Sequence, residues 1–344
     1  MYSKCFTMGS GEVYMGKLNT LVIRVDDVYN ANIEYACEVI RFGGLVAFPT
    51  ETVYGLGALA TNPEAVKKIF QVKGRPADNP LIVHLSDADE IENYAYIDEK
   101  YIDIIRKMTP GPITFVLRKK ETIPFEVTAG LDSVGIRIPA HPVAQKLIKC
   151  AGPIAAPSAN RSGKPSPTDA RAVIEDLSGL IECIIDAGES SFGIESTILD
   201  LTKDVPIVLR PGPITLEELS ELFGNVEYYQ LKENEKPLAP GMKYRHYAPE
   251  KHLEIVPSEE LLRYKNTEVL IMCTKETRDS YLLDATNVYI IGEMGKPYTI
   301  AQNLYRSFRE LDKTNYSYAV IEKLPEYGIF FSIMNRIKKA VSRS

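Results

Sequence analysis

The sequence predicts an α/β protein: an open, twisted, mixed sheet followed by a smaller, Rossmann-like parallel α/β domain. Three observations carry this. The chain has 344 residues, a length that suits two domains, and 45% of them are hydrophobic, enough for a sizeable core. Apolar runs of strand length alternate with stretches of helical period along most of the chain. Residues 224–250 break that rhythm with Gly224, Pro237, Pro240, Gly241 and Pro249, the composition of a linker.

In order, residues 1–18 lack periodicity and read as a poorly ordered leader. A first domain over 19–223 opens with a strand at 20–25 and a helix with Ile33, Ala36, Cys37 and Ile40 on one face. A buried strand at 45–48 ends at Pro49, and a glycine-punctuated turn holds Gly55 and Gly57, residues that permit approaches a Cβ would forbid. Asn62 and Pro63 open a helix as cap and first residue, with Lys73 and Arg75 near its end. A strand at 81–83 ends on His84. Helices are expected at 101–108 and 143–149, with His141 at the start of the latter, and strands at 113–117, 134–138 and 154–156. Thr168 is expected to cap a helix reaching Leu177, and strands at 184–186, 197–201 and 207–209 complete the sheet. Beyond the linker, over 251–344, strands at 253–256, 269–273, 288–291 and 318–321 alternate with helices at 259–264 and 276–282, then a long one through Ile300, Leu304, Phe308 and Leu311. A last helix carries Ile333, Ile337 and Val341.

Composition excludes several classes. No apolar tract approaches the length of a membrane span, and no secretory signal is expected, so the chain reads as cytoplasmic. Cys5, Cys37, Cys150, Cys183 and Cys273 are odd in number and scattered, the pattern of reduced, mostly buried thiols. His84, His141, His246 and His252 have no metal-site spacing. A net charge of -6 gives no global field for polyanions, so avid direct nucleic-acid binding is not expected. The second domain lacks Gly-x-Gly-x-x-Gly, and no arrangement suggests a covalent nucleophile.

Lys73, Arg75, Arg137 and Arg210 are the cations recurring where strands and helices end, and a nucleoside triphosphate needs about that many in a cleft of low dielectric. Two bland readings stand beside this one: helix C-terminal charges for the first two, surface anchors for the others. Ser158, Asn160 and the small residues up to Thr168 could surround phosphate with donors, although a turn uses the same residues.

The stretch PTETVYGLGALATNPEAVKKIFQVKGRPADNP (49–80) resembles the signature of the threonylcarbamoyl-AMP synthase family. Six further segments match in order: PGPIT (110–114), VGIRIP (134–139), APSANRSGKPSPT (156–168), GIEST (193–197), LRPGPIT (209–215) and PGMKYRHYAP (240–249), the last typical of the longer, two-domain branch. The resemblance implies an L-threonylcarbamoyladenylate synthase. L-threonine and bicarbonate would give N-carboxythreonine, whose carboxylate attacks the α-phosphate of ATP and expels pyrophosphate, with Mg2+ held by the phosphates. A separate transferase machinery would then modify tRNA to N6-threonylcarbamoyladenosine. Position by position, the resemblance implies that Thr52, His84, Arg137, Ser158 and Ser196 contact threonine and carboxylate. It implies that Arg75, Asn79, Ser133, Asn160, Thr168, Arg210 and Tyr247 contact ATP, and that Lys73 and Arg75 act in catalysis. Residues 240–249, with Lys243, Arg245, His246 and Tyr247, are expected to form a lid. No catalytic residue is assigned in the C-terminal domain. The alternatives are an adenylating enzyme for another carbamate, whose relatives carry acylphosphatase-like and zinc-finger segments that this chain lacks, and a non-enzymatic RNA-binding module.

Overall fold

The computed structural model describes residues 18–229, 238–240 and 247–341. Residues 1–17 of the expected leader over 1–18, and the segment with Lys243, Arg245 and His246, lie outside the described residues. The first half runs β1 (Leu21–Arg24), α1 (Glu34–Arg41), β2 (Val46–Phe48), β3 (Gly55–Leu59), α2 (Pro63–Lys73), β4 (Ile82–His84), β5 (Ala95–Tyr96), α3 (Glu99–Met108), β6 (Ile113–Lys119), α4 (Phe125–Thr128), β7 (Ser133–Arg137), α5 (Pro142–Ala151), β8 (Ile154–Ala156), α6 (Ala170–Leu177), β9 (Cys183–Asp186), β10 (Thr197–Asp200), β11 (Ile207–Arg210), α7 (Leu216–Phe223) and β12 (Glu227–Tyr228). Eleven of these strands lie in the order β1-β9-β2-β3-β8-β4-β7-β6-β10-β11-β12, and β5 pairs with β6. Parallel pairs such as β4 with β7 alternate with antiparallel ones such as β4 with β8, so the sheet is mixed, as expected.

Strand alternation builds a core on each face. Val46 and Phe48 of β2 join α1 and α5, while Ala47 between them faces the opposite layer with Ala65, Val66 and Ile69 of α2. The Asn62 side chain accepts from the Glu64 and Ala65 amides ahead of Pro63, and left-handed Gly74 ends α2. The glycine stretch expected to be a turn includes β3. Its glycines serve close packing, since a Cβ on Gly57 would stand 2.7 Å from Ile154 Cγ2 and 2.9 Å from Phe48 Cε1.

Three expectations need correction. Asp169, not Thr168, caps α6, accepting from the Ala172 amide at 2.9 Å; Thr168 is buried one residue earlier, and a carboxylate suits a helix N-terminus better than a hydroxyl. The segment around 259–264 forms a 3-10 helix (Ser258–Tyr264). Cys37 and Cys150 are joined in a disulfide, with Cα atoms 5.9 Å apart. They stand 113 positions apart in sequence, and only the packing of α1 on α5 brings them together. Cys183 and Cys273 are free and buried, as expected.

The C-terminal half comprises β13 (His252–Val256), β14 (Val269–Thr274), α8 (Lys275–Tyr281), β15 (Val288–Gly292), α9 (Pro297–Lys313), β16 (Tyr318–Glu322) and α10 (Gly328–Val341). Its four strands form a parallel sheet in the order β13-β16-β14-β15. The apolar stripes of α9 and α10 meet in a core that also takes in Val53, Ile194 and Tyr247. This half therefore packs onto the loops of the larger sheet rather than hanging from a linker. Among the described residues, no helix is long and apolar enough to cross a membrane.

Candidate active site

The cleft gathers its polar residues from the ends of several strands, as expected, and these ends do not all lie on one edge of the large sheet. The reason is direction. β4 and β8 are antiparallel, with Ile82 opposite Ala156 and His84 opposite Ile154, so Ser158 and His84 project from opposite ends of that pair. In the parallel pair β4 and β7, His84 registers with Arg137 and Ile82 with Gly135. Residues two apart share a face, so Ile82 and Ala156 form an apolar floor between polar walls. The cavity holds about 580 Å³ of empty space counted to its open mouth.

At one wall Arg137 Nη2 lies 2.7 Å from Glu51 Oε1, both side chains buried. The pair is close but out of line: neither Glu51 oxygen, nor Arg137 Nε or Nη2, completes a hydrogen bond among the described residues. Their attraction is electrostatic, and the guanidinium keeps donors for an incoming anion. His84 Nδ1 sits 3.2 Å from the Ile82 carbonyl. Burial, then the Arg137 charge, pushes its imidazole down to about 3, so it is neutral near pH 7.

The opposite wall is the turn before β10. Ser196 Oγ lies 2.8 Å from Thr114 Oγ1. Arg210, at the end of β11, donates from Nε and Nη2 to the Ser196 carbonyl at 3.1 and 3.0 Å, and from Nη2 to Ser196 Oγ at 3.2 Å. Burial lowers the Arg210 pKa from its ordinary value, with Tyr247 and Glu195 opposing. Glu195 beside it accepts from Ser166 Oγ at 2.6 Å, Tyr305 Oη at 2.8 Å and Arg336 Nε at 3.1 Å. Burial alone would raise its pKa; the Arg336 and Arg210 charges outweigh that and hold it below the usual carboxylate range. Tyr247 closes this side in a left-handed backbone conformation, φ 68°, its ring stacked on Tyr305 at 5.1 Å.

Arg75 reaches the cleft from just beyond α2, donating from Nη2 to the Pro80 carbonyl at 3.1 Å and the Asn79 carbonyl at 3.3 Å. Ser158 donates to Asn160 Oδ1 at 2.5 Å, and Asn160 Nδ2 donates to the Arg161 and Lys164 carbonyls, which shapes the loop after β8.

Of the residues singled out from sequence, Thr52, Arg75, His84, Arg137, Ser158, Ser196, Arg210 and Tyr247 line this cleft. Five do not. Lys73 is buried behind the wall, its ammonium donating to the Ser158 and Asn160 carbonyls; burial, then Arg75, lowers its pKa well below the ordinary value. Asn160 stands beside it, and Asn79 is buried, with Oδ1 finding no hydrogen-bond partner among the described residues. Ser133 lines a small adjoining slot that shares Ile82 and Pro240 with the cleft. Thr168 lines a separate hollow with Arg306 and Arg309 of α9. Sequence reasoning missed Thr114, Glu51, Glu195, Tyr305 and Arg336 as parts of the site. One signal for Arg336 existed: an arginine between Met334 and Ile337 in a helix whose neighbours are apolar and buried.

A family model described as telomere recombination, covering the Sua5, YciO and YrdC group, matches residues 38–212. A second, described as the threonylcarbamoyl-AMP synthase C-terminal domain, matches 214–342. The chain is 44% identical over 333 residues to a threonylcarbamoyl-AMP synthase of Pyrococcus abyssi, covering 93% of this chain and 97% of that one. It is 43% identical over 321 residues to one of Bacillus subtilis, covering 90% and 92%. The solved structure of P. abyssi Sua5 complexed with L-threonine superposes with a TM-score of 0.85 at 42% identity, over 94% of this chain and 98% of that one. Two matching domain models in tandem and full-length relatives of one name place the chain in the threonylcarbamoyl-AMP synthase family.

Proposed function

We propose that this chain is an L-threonylcarbamoyladenylate synthase, a nucleotidyltransferase that forms threonylcarbamoyl-AMP and pyrophosphate from L-threonine, bicarbonate and ATP. The observation that carries this reading is the pair of buried arginines, Arg137 and Arg210, on either side of an apolar floor, each beside a hydroxyl or imidazole. Arg137, with donors left over from its pairing to Glu51, receives the carboxylate of threonine or of its carbamate, with Ser196, Ser158 and Thr52 around it. Neutral His84 contributes a hydrogen bond rather than a charge. Arg75 and Arg210 face the triphosphate, with Tyr247 over it, Ser133 in the adjoining slot, and Asn79 and Asn160 supporting the wall from behind; Thr168, in its separate hollow, makes no contact in this reading.

The threonine amine bonds to the bicarbonate carbon and a water is lost, giving the carbamate; a carbamate oxygen then attacks the α-phosphorus, and the bond to the pyrophosphate oxygen breaks. Such a step depends on alignment and on charge stabilisation, which fixed guanidinium groups supply without reorganising. Lys73 serves this by holding the Ser158 and Asn160 carbonyls in place. Magnesium bound with ATP would be held by the triphosphate itself and would offset part of its charge. Glu195, the carboxylate that lines the cleft, already has both oxygens occupied by Ser166, Tyr305 and Arg336. We place the activity in the cytoplasm, where a tRNA threonylcarbamoyl transferase machinery would take up the product.

Pyrophosphate release from ATP, measured with threonine and bicarbonate each omitted in turn, tests the reading. Release is expected only when both are present. Release that ignores threonine would sink it.

A further inference from the structure

Arg336 is the largest side chain of the described residues that is fully buried, and it comes from α10 of the C-terminal half. Apart from a 3.4 Å contact of Nη1 with Asn335 Oδ1 on its own helix, its guanidinium is spent on the far half of the molecule. Nε donates to Glu195 Oε2 at 3.1 Å, Nη2 to the Glu195 carbonyl at 3.4 Å, and Nη1 to the Pro211 carbonyl. Glu195 precedes Ser196 and Pro211 follows Arg210, so one planar fork grips both backbone segments that carry this wall of the cleft. Its carbon centre also stands 5.9 Å from the centre of the Tyr247 ring. Tyr305 of α9 repeats the pattern, giving its hydroxyl to Glu195 and its ring face to Tyr247.

A buried arginine with only a structural task could pair with one carboxylate anywhere. This one brackets Ser196 and Arg210, whose own hydrogen bonds to each other require their backbones to stay in register. There is no slack in that register: a Cβ on Gly212 would stand 2.3 Å from the Thr197 nitrogen and 2.6 Å from the Ser196 carbonyl carbon. We propose that Arg336, seconded by Tyr305, is a positioning residue for the reaction, so that the C-terminal half sets the geometry of the substrate-binding wall through the Glu195 carboxylate. This rests on the reading of the cleft given above.

The test uses the full chain carrying Arg336→Lys, which keeps the charge but cannot hold three acceptors in one plane. Pyrophosphate release is measured while threonine and ATP are varied separately. Positioning raises KM for threonine and for ATP, each at least about fivefold, because Ser196 and Arg210 are displaced in molecules that remain folded. A structural role would lower the folded fraction, and with it kcat, and leave both KM values at the wild-type level; that result overturns the proposal. Tyr305→Phe keeps the ring and removes only the hydroxyl. It should raise the same KM values by a smaller factor, and it decides the matter by the same criterion if Arg336→Lys does not fold. Calorimetric titration with ATP alone separates this inference from the assigned reaction. A wild-type chain without threonine-dependent turnover, but with ATP affinity that falls at least about fivefold in the variant, would sink the reaction and keep the positioning role. Unchanged ATP affinity, or none in the wild type, would sink the positioning role.

Discussion

Arg137 Nη2 lies 2.7 Å from Glu51 Oε1, yet only the arginine lines the cleft. The two ends of the pair are therefore not equivalent. Arg137→Met strands the Glu51 carboxylate in the interior and should cost about 3 kcal/mol or more in urea unfolding, as breaking a buried pair does. Glu51→Gln keeps an amide oxygen that can accept from the guanidinium and leaves no carboxylate stranded, and should cost clearly less. Equal losses would mean that Arg137 needs the charge of Glu51 and not merely an acceptor beside it.

Arg75→Ala removes a cleft cation and its ties to the Asn79 and Pro80 carbonyls. Loss of a charge-assisted phosphate contact of about 1.5–3 kcal/mol corresponds to a fall in ATP-dependent kcat/KM of at least about tenfold. Thermal unfolding of the apo protein should barely move. Wild-type turnover would show that the triphosphate lies elsewhere.

What could be read in the sequence was what neighbouring residues decide. Asn62 and Pro63 cap α2 because the acceptor and the fixed φ sit one after the other, and Leu45, Val46, Ala47 and Phe48 announce a buried strand by their content alone. The polar members of the cleft were legible through the segments that hold them. Contacts closed by folding were not. Glu195 meets Arg336 across 141 positions and Tyr305 across 110, and Arg309 meets Asp176 across 133. Nothing local in GIEST says that its glutamate will be gripped by another domain. Cys37 and Cys150 fail for the same reason, and Thr168 lost the cap of α6 because two adjacent residues could each fill that role.

The state of His84 yields a pH dependence. Burial, then Arg137, pushes its folded pKa down to about 3, whereas the unfolded chain protonates it near the ordinary 6.5. Between those values the unfolded state holds the extra proton, so stability rises with pH there. The contribution is complete above pH 6.5 and is lost as the pH falls toward 3, with a slope of about 1.4 kcal/mol per pH unit. Urea unfolding between pH 6 and pH 4 should show His84→Gln with a slope smaller by about one proton. Equal slopes would mean that the imidazole protonates freely in the folded protein.

The seam between the two halves can be tested through glycines that share a positive φ and differ in what surrounds them. Gly193 has φ +72° beside α9, where an added Cβ would stand 2.3 Å from the Gln302 Cα and 2.7 Å from the Ala301 carbonyl oxygen. Gly188 has φ +85° with nothing within 4 Å. Alanine at either position meets the left-handed penalty of about 1–2 kcal/mol. At Gly193 it must also push α9 away from the loop that leads to Glu195, since both opposing atoms are backbone and neither can swing aside. Overpacking of that kind adds about 1–3 kcal/mol. Gly193→Ala should thus unfold at a lower urea concentration than Gly188→Ala, and it should lower kcat/KM by moving the α9 hydroxyl of Tyr305 off Glu195, while Gly188→Ala leaves turnover close to wild type. If the two substitutions proved equally mild in both measurements, α9 would not be seated on this loop, and the coupling of the C-terminal half to the cleft through Glu195 would fall with it.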